Sequence, residues 1–247
     1  MGLYVLEQSG EKMSVEQERS LTIGENLREV KQKIDLAARK TGRDPASVKL
    51  IAITKTVSAD VIKHAVRAGV TVLGENKAQE MLLKQPLLPP DLEWHFIGHL
   101  QSNKVKSVVG KVSLIHSLDS WKLALAINDF ALKTDRQVAV LVQVNIAKEA
   151  SKQGLSPVET TDFVKEVITL KGLRIRGLMT IAPETVNPEQ VRPVFRDLRF
   201  LAGRIKNNLP GVDLEYLSMG MSSDFVVAVE EGANMLRLGT AIFGPRK

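Results

Sequence analysis

The sequence predicts an α/β fold, a single (β/α)8 TIM barrel, and three observations support this prediction. Short apolar runs alternate with helix-like segments between residues 50 and 238, which is typical of parallel strands covered by helices. Eight such runs fit into about 200 residues, within the usual size of this barrel. A doubly wound open sheet is the runner-up. No G-x-G-x-x-G segment follows the first run, which weakens a dinucleotide-binding interpretation.

One helix is expected in front of the first strand. It begins near Leu21, because apolar residues recur at helical spacing up to Ala38, and Gly42 ends it. It would plug the bottom of the barrel or cover the sheet. The strands are expected at 50–54, 70–73, 93–97, 112–116, 137–145, 173–178, 213–217 and 234–238. The helices between them are expected at 58–68, 76–84, from about 102, from an N-cap at 119 to 133, and at 157–169, 188–207 and 222–231.

The chain is expected to form one domain over residues 21–247, preceded by a flexible N-terminal extension over residues 1–20. The extension is polar and has no sustained periodicity, and no composition shift or low-complexity linker marks a second domain. No apolar run reaches transmembrane length, and the N-terminus lacks a signal-peptide pattern. A soluble, cytoplasmic protein is therefore expected.

Composition also limits the chemistry. The chain has no cysteine, which excludes disulfides, a thiolate nucleophile and cysteine-based metal sites. The four histidines form no H-E-x-x-H pattern, so no metal is expected. The net charge of +6 is spread over the whole chain, which favours solubility, with a small phosphorylated ligand as the sharper alternative. Nucleic-acid binding is a third interpretation, but no recognition motif supports it.

Lys55 is the first candidate for chemistry. The apolar run Leu50–Thr54 reads as a buried strand that ends at this lysine. At the carboxyl end of a strand the amine would be partly desolvated, which lowers a lysine pKa and makes the amine a nucleophile toward aldehydes. The simpler interpretation is a solvated lysine at the start of a surface loop.

Polar residues and glycines follow nearly every expected strand, which is where barrel enzymes place their sites. The two last loops carry the sharper signal. Ser218-Met219-Gly220-Met221-Ser222 opens a helix, and Gly239-Thr240 follows the last strand. Both offer hydroxyl and backbone N–H donors at the position where such barrels often bind phosphate. The alternative is an N-cap serine and a tight turn.

Arg237 lies within the last expected strand, where a buried charge needs a partner. A bound heteroaromatic or anionic group would supply one, and an ion pair with a strand-end acid such as Glu75 is the alternative. A strand-end lysine, a phosphate cradle and an arginine between them together fit pyridoxal 5′-phosphate. The lysine would hold the aldehyde, the cradle the phosphate and the arginine the ring nitrogen.

Several segments, in this order, resemble the YggS/PROSC family of pyridoxal phosphate homeostasis proteins, and the resemblance covers residues 21 to 247. The Gly-Glu-Asn, His-Phe-Ile-Gly and Ser-Met-Gly-Met-Ser elements are together highly specific. His99 is a departure, because the family commonly has proline there. The resembling segments are Ile53–Thr56, Gly74–Glu80, Trp94–Lys104, Gln143–Ile146, Arg176–Met179, Leu217–Ser222 and Arg237–Gly244.

The resemblance implies a fold-type III barrel like the N-terminal domain of alanine racemase. It also implies pyridoxal phosphate as a Schiff base on Lys55, with Arg237 at the ring nitrogen and Asn76 beside the cofactor. Phosphate contacts are implied for Ser218, Ser222, Gly239 and Thr240. The implied role is intracellular homeostasis of the cofactor, by buffering or delivery, and indirectly of amino and keto acids.

Two functions from different classes remain: a cofactor carrier without catalytic turnover, and a small racemase-like or decarboxylase-like enzyme. The chain ends at Lys247, soon after the last strand, so no C-terminal β domain is expected to supply a second acid/base group. Arg237 would keep the ring nitrogen unprotonated, and an unprotonated ring is a weaker electron sink. Both points favour the carrier, with no catalytic residue, a monomeric state, and apoenzymes that depend on the cofactor as possible partners.

Overall fold

The computed structural model describes residues 15–149 and 152–245, with backbone only for residues 15–18, and it confirms the predicted barrel. Eight parallel strands hydrogen bond in chain order, and the last pairs with the first to close the ring. The strands are β1 Lys49–Ile53, β2 Val72–Glu75, β3 Glu93–Phe96, β4 Leu114–Leu118, β5 Val138–Gln143, β6 Leu173–Met179, β7 Tyr216–Ser218 and β8 Met235–Leu238.

Helices alternate with these strands as expected, and a short helix follows β8. They are α1 Val15–Lys40, α2 Ala59–Arg67, α3 Ala78–Lys84, α4 Val105–Val108, α5 Trp121–Lys133, α6 Thr160–Val167, α7 Arg192–Asn208, α8 Phe225–Glu230 and α9 Thr240–Phe243. Short 3₁₀ turns occupy 45–47, 85–87, 102–104 and 188–191. Among the described residues, none of these helices is long and apolar enough to cross a membrane.

Two predicted strands lie two residues later than expected, at β2 and β4. For β2 the reason is that the N–H of Val70 donates to the carbonyl of Ala65 over 3.0 Å, which closes the end of α2. Val70 therefore belongs to the helix end. The predicted N-cap of α5 is also wrong, since the hydroxyl of Ser120, and not Asp119, accepts from the N–H of Leu123.

Helix α1 lies on the outside of the barrel, so the plug is not observed. It packs against α2, α8 and α9, next to the place where the outer ring has only the four-residue α9. The Asn26 side chain donates to the carbonyl of Ile242 over 3.0 Å. The helix begins at Val15, inside the segment predicted to be flexible, and residues 1–14 of that segment lie outside the described residues.

The barrel has two apolar layers. Side chains that alternate along the strands point either to the helices or to the interior. The interior cluster comprises Ile51, Ile53, Val72, Leu114, Leu141, Met179 and Met235. Several inward positions are polar instead, among them positions on β3, β4, β7 and β8, with consequences for the site described next.

Candidate functional site

A cavity of about 740 Å³ opens at the carboxyl ends of the strands. This is the end of a parallel barrel where βα loops converge and sites are built. All predicted cofactor-binding residues except Ser218 line it. These residues are Lys55, Asn76, Ser222, Arg237, Gly239 and Thr240.

Lys55 follows β1 and is half-buried in the cavity wall. The backbone on both sides of it is fixed. Before it, the buried hydroxyl of Thr54 donates to Oε1 of Glu75 over 2.7 Å. After it, Thr56 has a φ of 63°, an unusual conformation for a β-branched residue, and its N–H donates to Oε1 of Glu80 over 2.8 Å. The direction of the lysine is therefore set by its neighbours' contacts.

A buried ion pair supports this turn from below. The Nζ of Lys84 donates to Oε1 of Glu75 and to the carbonyl of Thr54, each over 2.7 Å, and lies 3.1 Å from Glu80. Burial raises the pKa of Glu75, and the hydrogen bond from Lys84 opposes that rise. The partner of Glu75 is thus Lys84, and the alternative expectation of an Arg237–Glu75 ion pair is wrong.

Asn76 reaches the cavity because Gly98 leaves room for it. A Cβ at Gly98 would lie 2.2 Å from the carbonyl oxygen of Asn76, so only glycine allows the two loops to touch. The Oδ1 atom of Asn76 is buried and has no hydrogen-bond partner within the part of the chain that the structure describes. A buried acceptor without a partner is costly, which points to a donor on a bound ligand.

Arg237 forms the buried side of the cavity. Its Nη1 donates to Oγ of Ser218 over 2.6 Å, and its Nη2 donates to the carbonyl of Thr180 over 2.8 Å. Burial lowers the pKa of Arg237 to about 10, against the opposing charge of Asp224, so the guanidinium remains charged at neutral pH. A guanidinium has five N–H donors, and these two contacts leave others for a ligand.

The loops after β7 and β8 are joined through Ser222. Its Oγ accepts from the N–H of Gly239 over 3.2 Å and from the N–H of Ala241 over 3.0 Å. Gly220, in the loop after β7, packs against α8 and does not line the cavity. A Cβ there would lie 2.6 Å from the Cβ of Ala228, so this glycine allows α8 to pack.

Ser218 does not line the cavity in this structure, and the phosphate contact implied for it stays a prediction that this geometry does not favour. Its side chain is fully buried at the end of β7, inside the barrel. The Oγ accepts from Arg237 and lies 3.0 Å from Nδ1 of His116. Because both neighbours hold it beneath the guanidinium, Ser218 supports Arg237 from below.

Further cavity residues were not among the predicted site residues. Most of them come from the end of β5 and from the loops after β3, β5 and β6, where the sequence shows only isolated polar residues. Lys152 donates to Oε1 of Glu149 and to the carbonyl of Ala182, so it ties the loop after β5 to the loop after β6. The additional polar residues in the wall are His99, Gln143, Asn145, Lys152, Gln153, Glu184, Thr185 and Ser223.

The fold and its open barrel mouth define a class, and comparison with known families agrees. Residues 25–247 match the family model described as alanine racemase, N-terminal domain. The chain is therefore a barrel of the alanine racemase N-terminal type.

Curated relatives and solved structures narrow the class. A pyridoxal phosphate homeostasis protein of Aquifex aeolicus is 45% identical over 90% of this chain and 98% of its own length. The Escherichia coli K12 protein of the same name is 40% identical over 91% of this chain and 97% of its own length. PipY of Synechococcus elongatus, solved with PLP bound, is 36% identical with a TM-score of 0.79, covering 90% of this chain and 100% of its own. The chain belongs to the pyridoxal phosphate homeostasis protein family.

Proposed function

We propose that this protein binds pyridoxal 5′-phosphate covalently through Lys55 and buffers or delivers it in the cytoplasm, as a monomer without catalytic turnover. The observation that carries this proposal is the joint placement of an amine, a guanidinium and two linked loops around one cavity. The recipients would be apoenzymes that require the cofactor.

The residues present fit the chemistry of this ligand. Lys55 supplies an amine for the aldehyde, and Arg237 supplies N–H donors for the ring nitrogen. Ser222 and Thr240 supply hydroxyl groups, and Thr240 a backbone N–H, for the phosphate. Gly239 lines the same part of the cavity, and its N–H holds the Ser222 hydroxyl there. The unpaired Oδ1 of Asn76 supplies an acceptor beside the ring. When bound, the cofactor provides an aldehyde carbon that amines attack and a ring that accepts electrons.

The relatives support the choice of ligand. The curated relatives are named for pyridoxal phosphate homeostasis, and PipY was solved with PLP bound. These names do not favour the alternative, a small racemase-like enzyme.

The charge of Arg237 supports the proposed lack of turnover. A guanidinium that stays protonated beside the ring nitrogen leaves that nitrogen unprotonated, and the ring then withdraws electrons weakly. Racemisation also needs proton donors on both faces of the substrate carbanion. Lys55 can serve one face, and no second acid/base group is predicted for the other.

A titration with the cofactor tests binding and delivery together. Wild-type protein should develop visible absorbance on addition of pyridoxal phosphate, retain it on gel filtration, and activate an apoenzyme added afterwards. Lys55→Ala should lose the covalent absorbance, whereas Lys63→Ala should behave as wild type, since Lys63 lies on the exposed face of α2. Steady racemisation or decarboxylation of amino acids by the loaded protein would contradict the carrier proposal.

A further inference from the structure

A line of polar side chains crosses the barrel interior, from the floor of the cavity to the opposite end. Ser218, His116 and His95 are fully buried, and Arg237 is 5% exposed. We call this set the relay. Its members, in order, are Arg237, Ser218, His116, His95 and Glu93.

Each contact along the relay has hydrogen-bonding distance. Beyond the Arg237–Ser218 contact, Oγ of Ser218 lies 3.0 Å from Nδ1 of His116, and Nε2 of His116 lies 2.9 Å from Nδ1 of His95. The Nε2 of His95 lies 2.7 Å from Oε1 of Glu93. These distances are within the normal range for N–H···O and N–H···N contacts.

The two ends of the relay fix which partner donates in each of its hydrogen bonds; we call this the direction of the relay. Arg237 can only donate, and an ionised carboxylate can only accept. The hydrogen bond from His95 is the main reason that the pKa of Glu93 is lowered to about 2, so Glu93 is ionised at neutral pH. His95 must therefore carry a proton on Nε2, facing Glu93.

If His95 is neutral, the remaining protons are determined. Its bare Nδ1 accepts from Nε2–H of His116, whose bare Nδ1 accepts from the hydroxyl of Ser218. The oxygen of Ser218 is then an acceptor for Arg237. Every contact has one donor and one acceptor, so no hydrogen is left over.

A charged His95 would be less favourable. It would donate from Nδ1 to Nε2 of His116, so the proton of His116 would move to Nδ1 and face Ser218. The hydroxyl hydrogen of Ser218 would then lose its acceptor among the contacts of the described residues. It would also place a cation between Arg237 and Lys49, whose Nζ lies 3.1 Å from the Glu93 carboxylate. Burial lowers the pKa of His95, although Glu93 opposes this, and it lowers the pKa of His116 further.

We propose that Glu93 is a positioning residue for Arg237, acting across the barrel by fixing the direction of every hydrogen bond in the relay. The Ser218 hydroxyl is committed to His116, so its oxygen always faces Arg237 as an acceptor and holds the guanidinium in place. The proposal rests on the proposed function in one respect, because the position of Arg237 matters for the ring of bound pyridoxal phosphate. The histidine tautomers do not depend on the cofactor.

Histidine ¹⁵N NMR of the cofactor-free protein tests the direction of the relay. At pH 7, both His95 and His116 should show a protonated Nε2 and a bare Nδ1. A protonated Nδ1 on His116 would overturn the proposed direction. If the tautomers are as proposed but wild-type protein fails to bind pyridoxal phosphate, the proposed function fails and the relay stands.

Three variants test the role of Glu93. Glu93→Gln keeps an acceptor, because Lys49 attracts the amide oxygen toward the same side. It should keep the tautomers and bind the cofactor within about twofold of wild type. Glu93→Ala removes the acceptor, so fixed tautomers should be lost, the absorbance maximum of the loaded protein should shift, and affinity should fall about tenfold.

Glu231→Gln is the matched control, since it also removes one negative charge but lies in a separate ion-pair cluster with Arg192 and Arg199. It should match wild type in tautomers, absorbance and affinity. If Glu93→Ala keeps wild-type tautomers and affinity, Glu93 has no positioning role. If Glu93→Gln loses both as Glu93→Ala does, the charge of Glu93 and not its acceptor oxygen matters, and the proposal is wrong.

Discussion

At the scale of single residues, the backbone around Lys55 is more constrained than its place at a strand end requires. Thr56 holds a positive φ, and the carbonyl of Thr54 accepts from a buried lysine. Backbone strain at such positions persists only where surrounding contacts over-determine the conformation, and it is concentrated at functional sites. Its placement next to Lys55 agrees with the proposed role of that amine.

Ser218 and Ser222 should have separable roles. Ser218→Ala should leave the affinity of the cofactor-free protein for inorganic phosphate unchanged, because Ser218 lies beneath Arg237 and outside the cavity wall. Ser222→Ala should weaken phosphate binding about tenfold, since it removes a hydroxyl that joins the two loops. Isothermal titration calorimetry measures both. Equal losses in the two variants would restore the original expectation of a phosphate contact by Ser218.

The sequence predicted the residues that follow strands better than those that point into the barrel. Lys55 and Arg237 were found because a charge at the end of, or within, an apolar run is conspicuous. The two histidines of the relay match no metal motif and were not among the predicted site residues. Their signal was available in β3, where Glu93 and His95 are two residues apart and must face the same interior side. Their link to His116 and Ser218 depends on how distant strands meet, which local sequence does not specify.

At the scale of elements, the Lys84–Glu75 pair joins α3 to the end of β2. Lys84→Met should lower the free energy of unfolding by about 3 kcal/mol or more at pH 8, because it leaves a buried carboxylate without its counter-charge. The loss should be smaller at pH 5. Burial raises the folded-state pKa of Glu75, so the folded state binds the proton more tightly than the unfolded state does. The stability that this group contributes is therefore present at low pH and is lost as the pH rises through the folded-state pKa.

Urea denaturation at the two pH values measures this effect. The matched control is Lys63→Met, in which the lysine is exposed and pairs with Asp60 on the surface of α2. A surface pair of this kind contributes about 0–1 kcal/mol, so the control should change little at either pH. A Lys84→Met variant that is equally destabilised at pH 5 and pH 8 would show that the charge of Glu75 is not responsible.

Helix α1 should contribute to stability through its buried face. Leu27→Ala should cost about 2–5 kcal/mol, because Leu27 is 2% exposed against the outer helices. Leu36→Ala, on the same helix but 63% exposed, should change stability by about 0.5 kcal/mol or less. Thermal unfolding of both variants compares them directly. Similar small effects would mean that α1 is not part of the cooperative unit.

The position of α1 shows why element types were predicted better than packing. The repeat of apolar residues predicted the helix. Of the residues in that repeat, Leu36 is exposed, and the buried ones are Ile23, Leu27, Val30, Ile34, Ala37 and Ala38. The same pattern could not distinguish a plug from an outer helix, since both bury one face. The outer position follows from α9 being only four residues long, and nothing before β8 in the sequence indicates this.

At the scale of the whole molecule, the barrel separates two tasks. The carboxyl ends of the strands carry the cavity, while the opposite ends carry charged residues such as Lys49 and Glu93. The relay is the described connection between them through the interior, so a change at one end can reach Arg237 at the other. The sequence predicted the barrel and the end that carries the cavity. The relay was not predicted, because its residues come together only when the barrel is closed.

The most direct test of the central claim is borohydride reduction of the protein incubated with pyridoxal phosphate, followed by tryptic peptide mapping. Trypsin does not cleave at a modified lysine, so the account predicts one labelled peptide, residues 50–63, that spans Lys55. The Lys55→Ala protein should carry no label. A label on another lysine of the cavity wall, such as Lys152, or no label on wild-type protein, would contradict the assignment of Lys55 as the residue that holds the cofactor.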